Sequence, residues 1–254
     1  WAGTDLYFDR HDGEAATCED FVKAIEDGAG IDLTRFRRWY SQAGTPRVEV
    51  RQAVEGDSLR LTLKQTVPAT PGQPDKLPMP IPLRLAVHSR SGVLGAEQLV
   101  VLESETQSFD LPLAGPDPVI SINRGFTAPV VIERSLARED LVFLAAQDDD
   151  PFARSEALQE LAVGHLVGAA SGALSADDRQ AGEAAIIGGG LSLDLKGRRG
   201  RIIDGDPRQL GRAFGNLLDN AISGTPEGGR IVIEIRKAPA AADGTAAANG
   251  AEIT

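Results

Sequence analysis

The stretch "VEVRQAVEGDSLRLTL", Val48 to Leu63, sets the reading of the whole chain. Val48, Val50 and Val54 fall on alternate positions. "EGDS" then supplies a turn, and Leu59, Leu61 and Leu63 alternate again. A period of two sends successive side chains to opposite faces of a strand. The stretch therefore predicts an antiparallel hairpin with one apolar and one wet face. After a Pro-rich loop (Pro68 to Pro82), further strands are expected at Ile81–Val87, Gln98–Leu102, Gln107–Leu111, Val119–Ile122 and Val130–Glu133. Short strands at this spacing, with turn residues between them, predict an antiparallel β-sandwich of Ig-like type over 46–136.

On both sides of this region the period becomes helical. Residues 17–28 read as a helix in which Thr17 is the N-cap, Asp20 closes a variant capping box, and Gly28 and Gly30 stop the run. A second helix is expected from Asp32, with Leu33, Phe36, Trp39 and Tyr40 on one side and "AGTP" (Ala43 to Pro46) ending it. Downstream, "REDLVFLAAQ" and "RSEALQELAVGHLVGAA" are amphipathic, with "DDDPF" as turn and helix start. "LSADDRQAGEAAII" (Leu174 to Ile187) reads as a third helix, and Gly188 to Gly190 break it. Beyond lie strand-like "LSLDL", a helix from Asp206 to about Ser223, a strand at Arg230–Arg236 and an Ala- and Gly-rich tail over 238–254 that reads as flexible. The expected fold class is mixed and multi-domain: a short helical segment over 1–45, the sandwich, helices over 137–187, and a partial α/β piece over 188–237.

Charge and composition narrow the function. The net charge of −11 is uneven: residues 1–187 hold 17 of the 26 basic and 29 of the 37 acidic residues, a net −12. A binder of nucleic acid must neutralise phosphates, so no nucleic-acid partner is expected. Arg35, Arg37 and Arg38 beside Trp39 in "RFRRW" then read as a solvated helix face rather than a phosphate patch. No apolar run approaches the length of a membrane span. The single Cys18 excludes an internal disulfide and is compatible with the expected cytoplasmic setting. The chain starts at Trp1 and ends in "NGAEIT", and it reads as part of something longer.

The N-terminal stretch "DLYFDRHDGEAATCEDFVKAIEDGAGIDLTRFRRWYSQAGTPRVEV" resembles the bacterial aminopeptidase N family, the zinc-dependent alanyl aminopeptidases. "FRRWYSQAGTP" is the most specific part. "PVISINRGFTAPVVIE" and "LVFLAAQDDDPFARSEALQELA" extend the resemblance to about residue 187. It implies the end of a catalytic domain, a β-sandwich and the first helices of a C-terminal domain. It also implies the remainder of an aminopeptidase as the partner, and self-association where that remainder is missing. The catalysis is not carried over. A peptidase of this kind needs H-E-x-x-H on a helix, two histidines facing one metal and a Glu activating water. The three histidines here, His11, His88 and His165, are far apart in sequence. No catalytic residue, zinc site or peptidase activity is therefore expected in this chain. His11 with Asp9 and Asp12 reads as a polar loop, and "QDDDPF" lacks the spacing of a calcium loop, leaving helix N-terminal charge.

Past the glycine run, "DGDPRQLGRAFGNLLDNAISGTPEGGRIVIEIR" (Asp204 to Arg236) resembles the N-box region of the histidine-kinase ATP-binding domain. Asn216 and Asn220 stand four apart and share a helix face, where carboxamide oxygens can meet a Mg²⁺ bridging phosphates. The resemblance implies that Asn220 is a Mg²⁺ ligand and Asn216 a neighbour hydrogen-bonding phosphate or water. The D-x-G-x-G adenine box and the second glycine box of the lid are absent from the sequence. Mg-ATP is thus expected only if this segment is functional, and the whole reads as a noncatalytic piece joined to a foreign C-terminus, the alternatives being a nucleotide-binding module that uses the N-box helix or a β-sandwich with a purely structural or interaction role.

Overall fold

A computed structural model of the chain describes residues 1–170, 193–196, 214–217, 231–237 and 251–253. It divides into two units that interleave along the sequence. The first comprises Trp1–Leu85, Glu97–Leu113 and Phe126–Ser135, the second Ala86–Ala96, Ala114–Gly125 and Leu136–Thr254.

In the first unit, α1 (Ala2–His11) and α2 (Cys18–Ala29) pack as a pair. The helix α2 begins as its sequence predicts: Thr17 Oγ1 accepts the Asp20 N–H at 3.2 Å while the Asp20 carboxylate accepts the Thr17 N–H at 2.8 Å. Each satisfies a backbone donor that the first turn leaves without a helical partner. Gly30 closes α2 at φ 65°, a left-handed position that costs glycine little. The crossing of α1 and α2 is made by two glycines. A Cβ on Gly28 would lie 2.6 Å from the Gly3 Cα, and one on Gly3 would lie 2.6 Å from the Ile25 Cα.

The second helix expected from Asp32 is not formed there; residues 34–37 turn, and only α3 (Arg38–Ser41) is helical. Side chains bond the backbone donors ahead of this turn. The Glu26 carboxylate accepts the Leu33 N–H at 2.7 Å, and Asp32 Oδ1 accepts the Thr34 N–H at 2.8 Å.

The strands of the first unit are β1 (Arg47–Glu55), β2 (Ser58–Thr66), the start of β3 (Ile81–Ser89), β4 (Gln98–Leu102), β5 (Thr106–Pro112) and β7 (Val131–Glu133). The opening hairpin is β1–β2, in register from Arg47↔Thr66 to Glu55↔Ser58. One sheet runs β5-β2-β1-β7, with β7 parallel to β1; the other runs β4-β3-β6, where β6 is Pro118–Ile122. Leu59, Leu61 and Leu63 of β2 and Ile81, Leu83 and Leu85 of β3 are buried as the alternation requires. In β1 only Val48 is fully buried, and Val54 is exposed near the turn. Gln65 joins the sheets from inside: its Nε2 donates to the carbonyls of Met79 (2.9 Å) and Ser104 (3.0 Å), and its Oε1 accepts the Met79 N–H at 2.8 Å.

In the second unit, β3 continues from Ala86 and lies beside β6. A 3-10 turn (Arg124–Phe126) follows β6, and α4 (Arg138–Gln147) and α5 (Pro151–Ala170) form a helical pair. Their core is Leu141, Phe143, Leu144, Ala145, Ala157 and Leu161, with Val119 from β6. β8 (Leu193–Lys196) pairs parallel with β9 (Ile231–Lys237), and β10 (Ala251–Ile253) pairs antiparallel with β9. The tail read as flexible thus contains a paired strand. The expected helix at Leu174–Ile187 lies outside the described residues. Of the helix expected from Asp206, only 214–217 are described, and they are helical. No helix of the described residues is long and apolar enough to cross a membrane.

Candidate functional site

The cations of "RFRRW" are taken up within the fold. Arg37 donates to Glu19 and to Glu26, each at 2.7 Å at best, and Arg35 faces Glu103 at 3.7 Å. The Arg38 guanidinium donates to the Pro78 carbonyl, and the Trp39 indole N–H to the Pro80 carbonyl at 2.9 Å. Gln42 pairs with both backbone groups of Leu77, at 2.9 and 2.7 Å. The segment that sequence marks as most distinctive is therefore a strap over the Pro-rich loop. Hydrogen bonding to the Arg37 side chain, then to the Leu33 N–H, lowers the Glu26 carboxyl to about 2.

The densest group of chemically capable side chains lies in the second unit. Among the described residues, His88, Asp148 and Asp149 form the one group with metal-ligand chemistry, their ligand atoms within 4.8 Å of one another. The end of β3 supplies His88, which is fully buried; the elbow between α4 and α5 supplies the aspartates. Between them sits Arg124, 4% exposed. Its Nη1 lies 3.2 Å from Asp148 Oδ1 and its Nη2 2.6 Å from Asp149 Oδ1. Asp150 accepts the Gly125 N–H at 2.7 Å and the Phe152 N–H at 3.3 Å, so it caps α5 as the helix N-terminal reading expects. Asp148 also accepts the Asp150 N–H at 2.9 Å.

The tautomer of His88 follows from its neighbours. The Gly95 N–H, a donor only, points at Nδ1 from 3.1 Å. Nδ1 must then accept, and the neutral ring carries its proton on Nε2. That proton faces Asp148 Oδ1 at 3.6 Å. Arg124 Nη1, 3.2 Å from Nε2, is a second donor packed alongside rather than a hydrogen-bond partner. Gly95 can approach this closely because it lacks a side chain: a Cβ there would run into the Val87 carbonyl oxygen. Burial is the largest influence on the Asp148 carboxyl and pushes it up. His88, Ser121, the Asp150 N–H and the Arg124 charge together outweigh burial, and the group is held below its ordinary value. Ser121 Oγ neighbours this carboxylate, but neither it nor Asp148 Oδ2 makes a protein hydrogen bond of normal geometry.

These residues do not fit a zinc ion. The ring nitrogen facing the aspartates carries a proton, and a guanidinium already supplies the positive charge between them. The arrangement is an ion network in which His88, Arg124 and Asp148 are buried and Asp149 is exposed. Sequence reading placed His88 at a strand end and the aspartates at a helix start but did not join them. Arg124 lies 36 residues from His88 and 24 from Asp148, and no local pattern links such positions. His11 ends α1, with the Tyr7 ring 5.5 Å away. Asn216 is exposed within helical 214–217, beside the buried Phe214. Asn220 lies outside the described residues.

A family model described as a domain of unknown function (DUF3458) with an Ig-like fold matches residues 44–135. The chain is similar to aminopeptidase N of Escherichia coli strain K12, 39% identical over 170 residues, 63% of this chain and 19% of that protein. It is also similar to aminopeptidase N of Haemophilus influenzae, 36% identical over 170 residues with the same coverage. For aminopeptidase N of Caulobacter vibrioides the identity is 41% over 178 residues, 67% of this chain and 20% of that protein. A crystal structure of Legionella pneumophila aminopeptidase A in complex with aspartic acid shares the fold, with a TM-score of 0.62 at 22% identity, over 87% of this chain and 27% of that one. The chain thus spans about a fifth of the length of the curated relatives it matches.

Proposed function

We propose that this chain is a noncatalytic section of a zinc-dependent aminopeptidase N, with the Ig-like sandwich acting as a scaffold between a catalytic part and a helical part. The observation that carries it is the 39% identity to an aminopeptidase N over 170 residues. The residues present agree with a supporting role. The distinctive "FRRWYSQAGTP" segment straps a loop, and the candidate metal ligands are engaged by Arg124. Zinc would belong to the catalytic part of such a protein. The partner is the remainder of the aminopeptidase, in a cytoplasmic setting compatible with the exposed free thiol of Cys18.

The test is hydrolysis of amino-acyl-nitroanilides by the purified chain with added zinc. No turnover above buffer is expected, and saturable hydrolysis would overturn the noncatalytic reading. The kinase-like C-terminus is a separate proposal: a Mg-ATP site using Asn216 and Asn220 by resemblance. The exposed Asn216 beside buried Phe214 is compatible with a helix that buries one face and offers the other. Titration with a fluorescent ATP analogue and Mg²⁺ tests it. Binding that is saturable and lost in Asn220→Ala supports the site, and no binding removes it.

A further inference from the structure

We infer that Arg124 is a latch that fastens the α4–α5 pair to the ends of β3 and β6, so that breaking it frees the pair while the first unit stays folded. This inference does not depend on the aminopeptidase reading. Among the described residues, the pair meets the strands through an apolar cluster in which β6 takes part. Its core is made by the two helices themselves, with Val119 as the strand residue among its buried members. A ring contact between His88 and Phe143, with centroids 6.3 Å apart, adds a second point. Polar attachment adds to this: Arg90 faces Asp140 of α4 at 3.5 Å, and a denser set of bonds converges on the elbow. Arg124 binds Asp148 and Asp149 through different nitrogens, and the next backbone N–H, of Gly125, binds Asp150. Three consecutive aspartates are thus held by two consecutive residues of one turn.

The turn itself is strained. Asn123 and Phe126 have φ of 59° and 52°, a region that residues with a Cβ rarely adopt, while Gly125 at 61° adopts it freely. Within this turn the Asp150 carboxylate holds the Gly125 N–H. Asp148, with a fully buried side chain, would be left beside no guanidinium if Arg124 were removed. The Gln65 clamp of the first unit shares no residue with this network. The two fastenings are physically separate, and local opening of one need not open the other.

Hydrogen–deuterium exchange on the full chain tests the latch. In Arg124→Met, amides of α4 and the first turns of α5 should exchange at least about tenfold faster, with β1, β2 and β5 unchanged. Asp149→Asn, at the exposed end of the network, should raise exchange in the same segments by a smaller factor. Protection of α4 and α5 within about twofold of the parent in both variants would overturn the proposal. So would a loss spread equally over β1, β2 and β5. If Arg124→Met does not fold, Asp149→Asn decides alone: a rise confined to α4 and α5 supports the latch, and no rise refutes it.

Discussion

At the residue scale, the side chains that matter most are polar ones with several partners each. Gln65 is 2% exposed and has both amide atoms engaged. Gln65→Leu removes its bonds but leaves the Met79 N–H and two carbonyls in a dry interior. Orphaned groups of this kind cost about 1–3 kcal/mol each, so a loss of about 2–4 kcal/mol is expected. Urea unfolding would show it as a lower midpoint at unchanged slope. Glu26 gives a pH signature. Its carboxyl is lowered from an ordinary 4.5 to about 2 by the Arg37 side chain first and the Leu33 N–H second. A depressed carboxyl stabilises the fold fully above the unfolded value of 4.5, and that contribution is lost as pH falls through about 2. The stability gap between the parent and Glu26→Gln should therefore be constant at neutral pH and close between these two values. A gap that persists unchanged at the acid end would show that the clamp does not depend on the Glu26 charge.

At the element scale, what could be read from sequence was whatever a few neighbouring residues decide. The β1–β2 hairpin followed from alternation and "EGDS", and the start of α2 from Thr17 and Asp20. The helix expected at Asp32 begins only at Arg38, with the Leu33 and Thr34 N–H groups bonded to the Glu26 and Asp32 side chains, an arrangement that helical spacing does not reveal. The Arg124 network stayed hidden because its members are brought together by strand pairing and a helical elbow. The α1–α2 crossing was equally invisible, since a glycine in a helix reads as a stop. Replacing Gly28 by alanine would ordinarily favour a helix by about 1 kcal/mol. Here the new methyl meets the backbone of Gly3 and Ala2 at 2.6–2.8 Å, and backbone cannot move aside cheaply. Overpacking costs about 1–3 kcal/mol, so Gly28→Ala should be net destabilising. Proteolysis near Gly13, between the two helices, should become faster. Unchanged or slower cleavage would mean that the helices part without penalty.

At the scale of the whole molecule, large apolar side chains are left exposed in the first 40 residues: Trp1, Phe8, Phe21, Ile31, Phe36 and Tyr40. This concentration fits the proposal that the remainder of a larger protein covers them. Sedimentation of the isolated chain should show concentration-dependent self-association, reduced in a Phe8→Ser, Tyr40→Ser double variant. A monomer at all concentrations would count against it. The two units also alternate along the chain, with passages between them at Leu85, Ala96, Leu113, Gly125 and Ser135. A boundary drawn where sequence changes period, near residue 136, would leave Arg124 and His88 on one side and all three aspartates on the other. For gene shuffling or domain grafting, the stretch from Leu85 to Asp150 is therefore a poor place for a breakpoint. A breakpoint inside that block would part groups whose order along the gene hides their grouping in space.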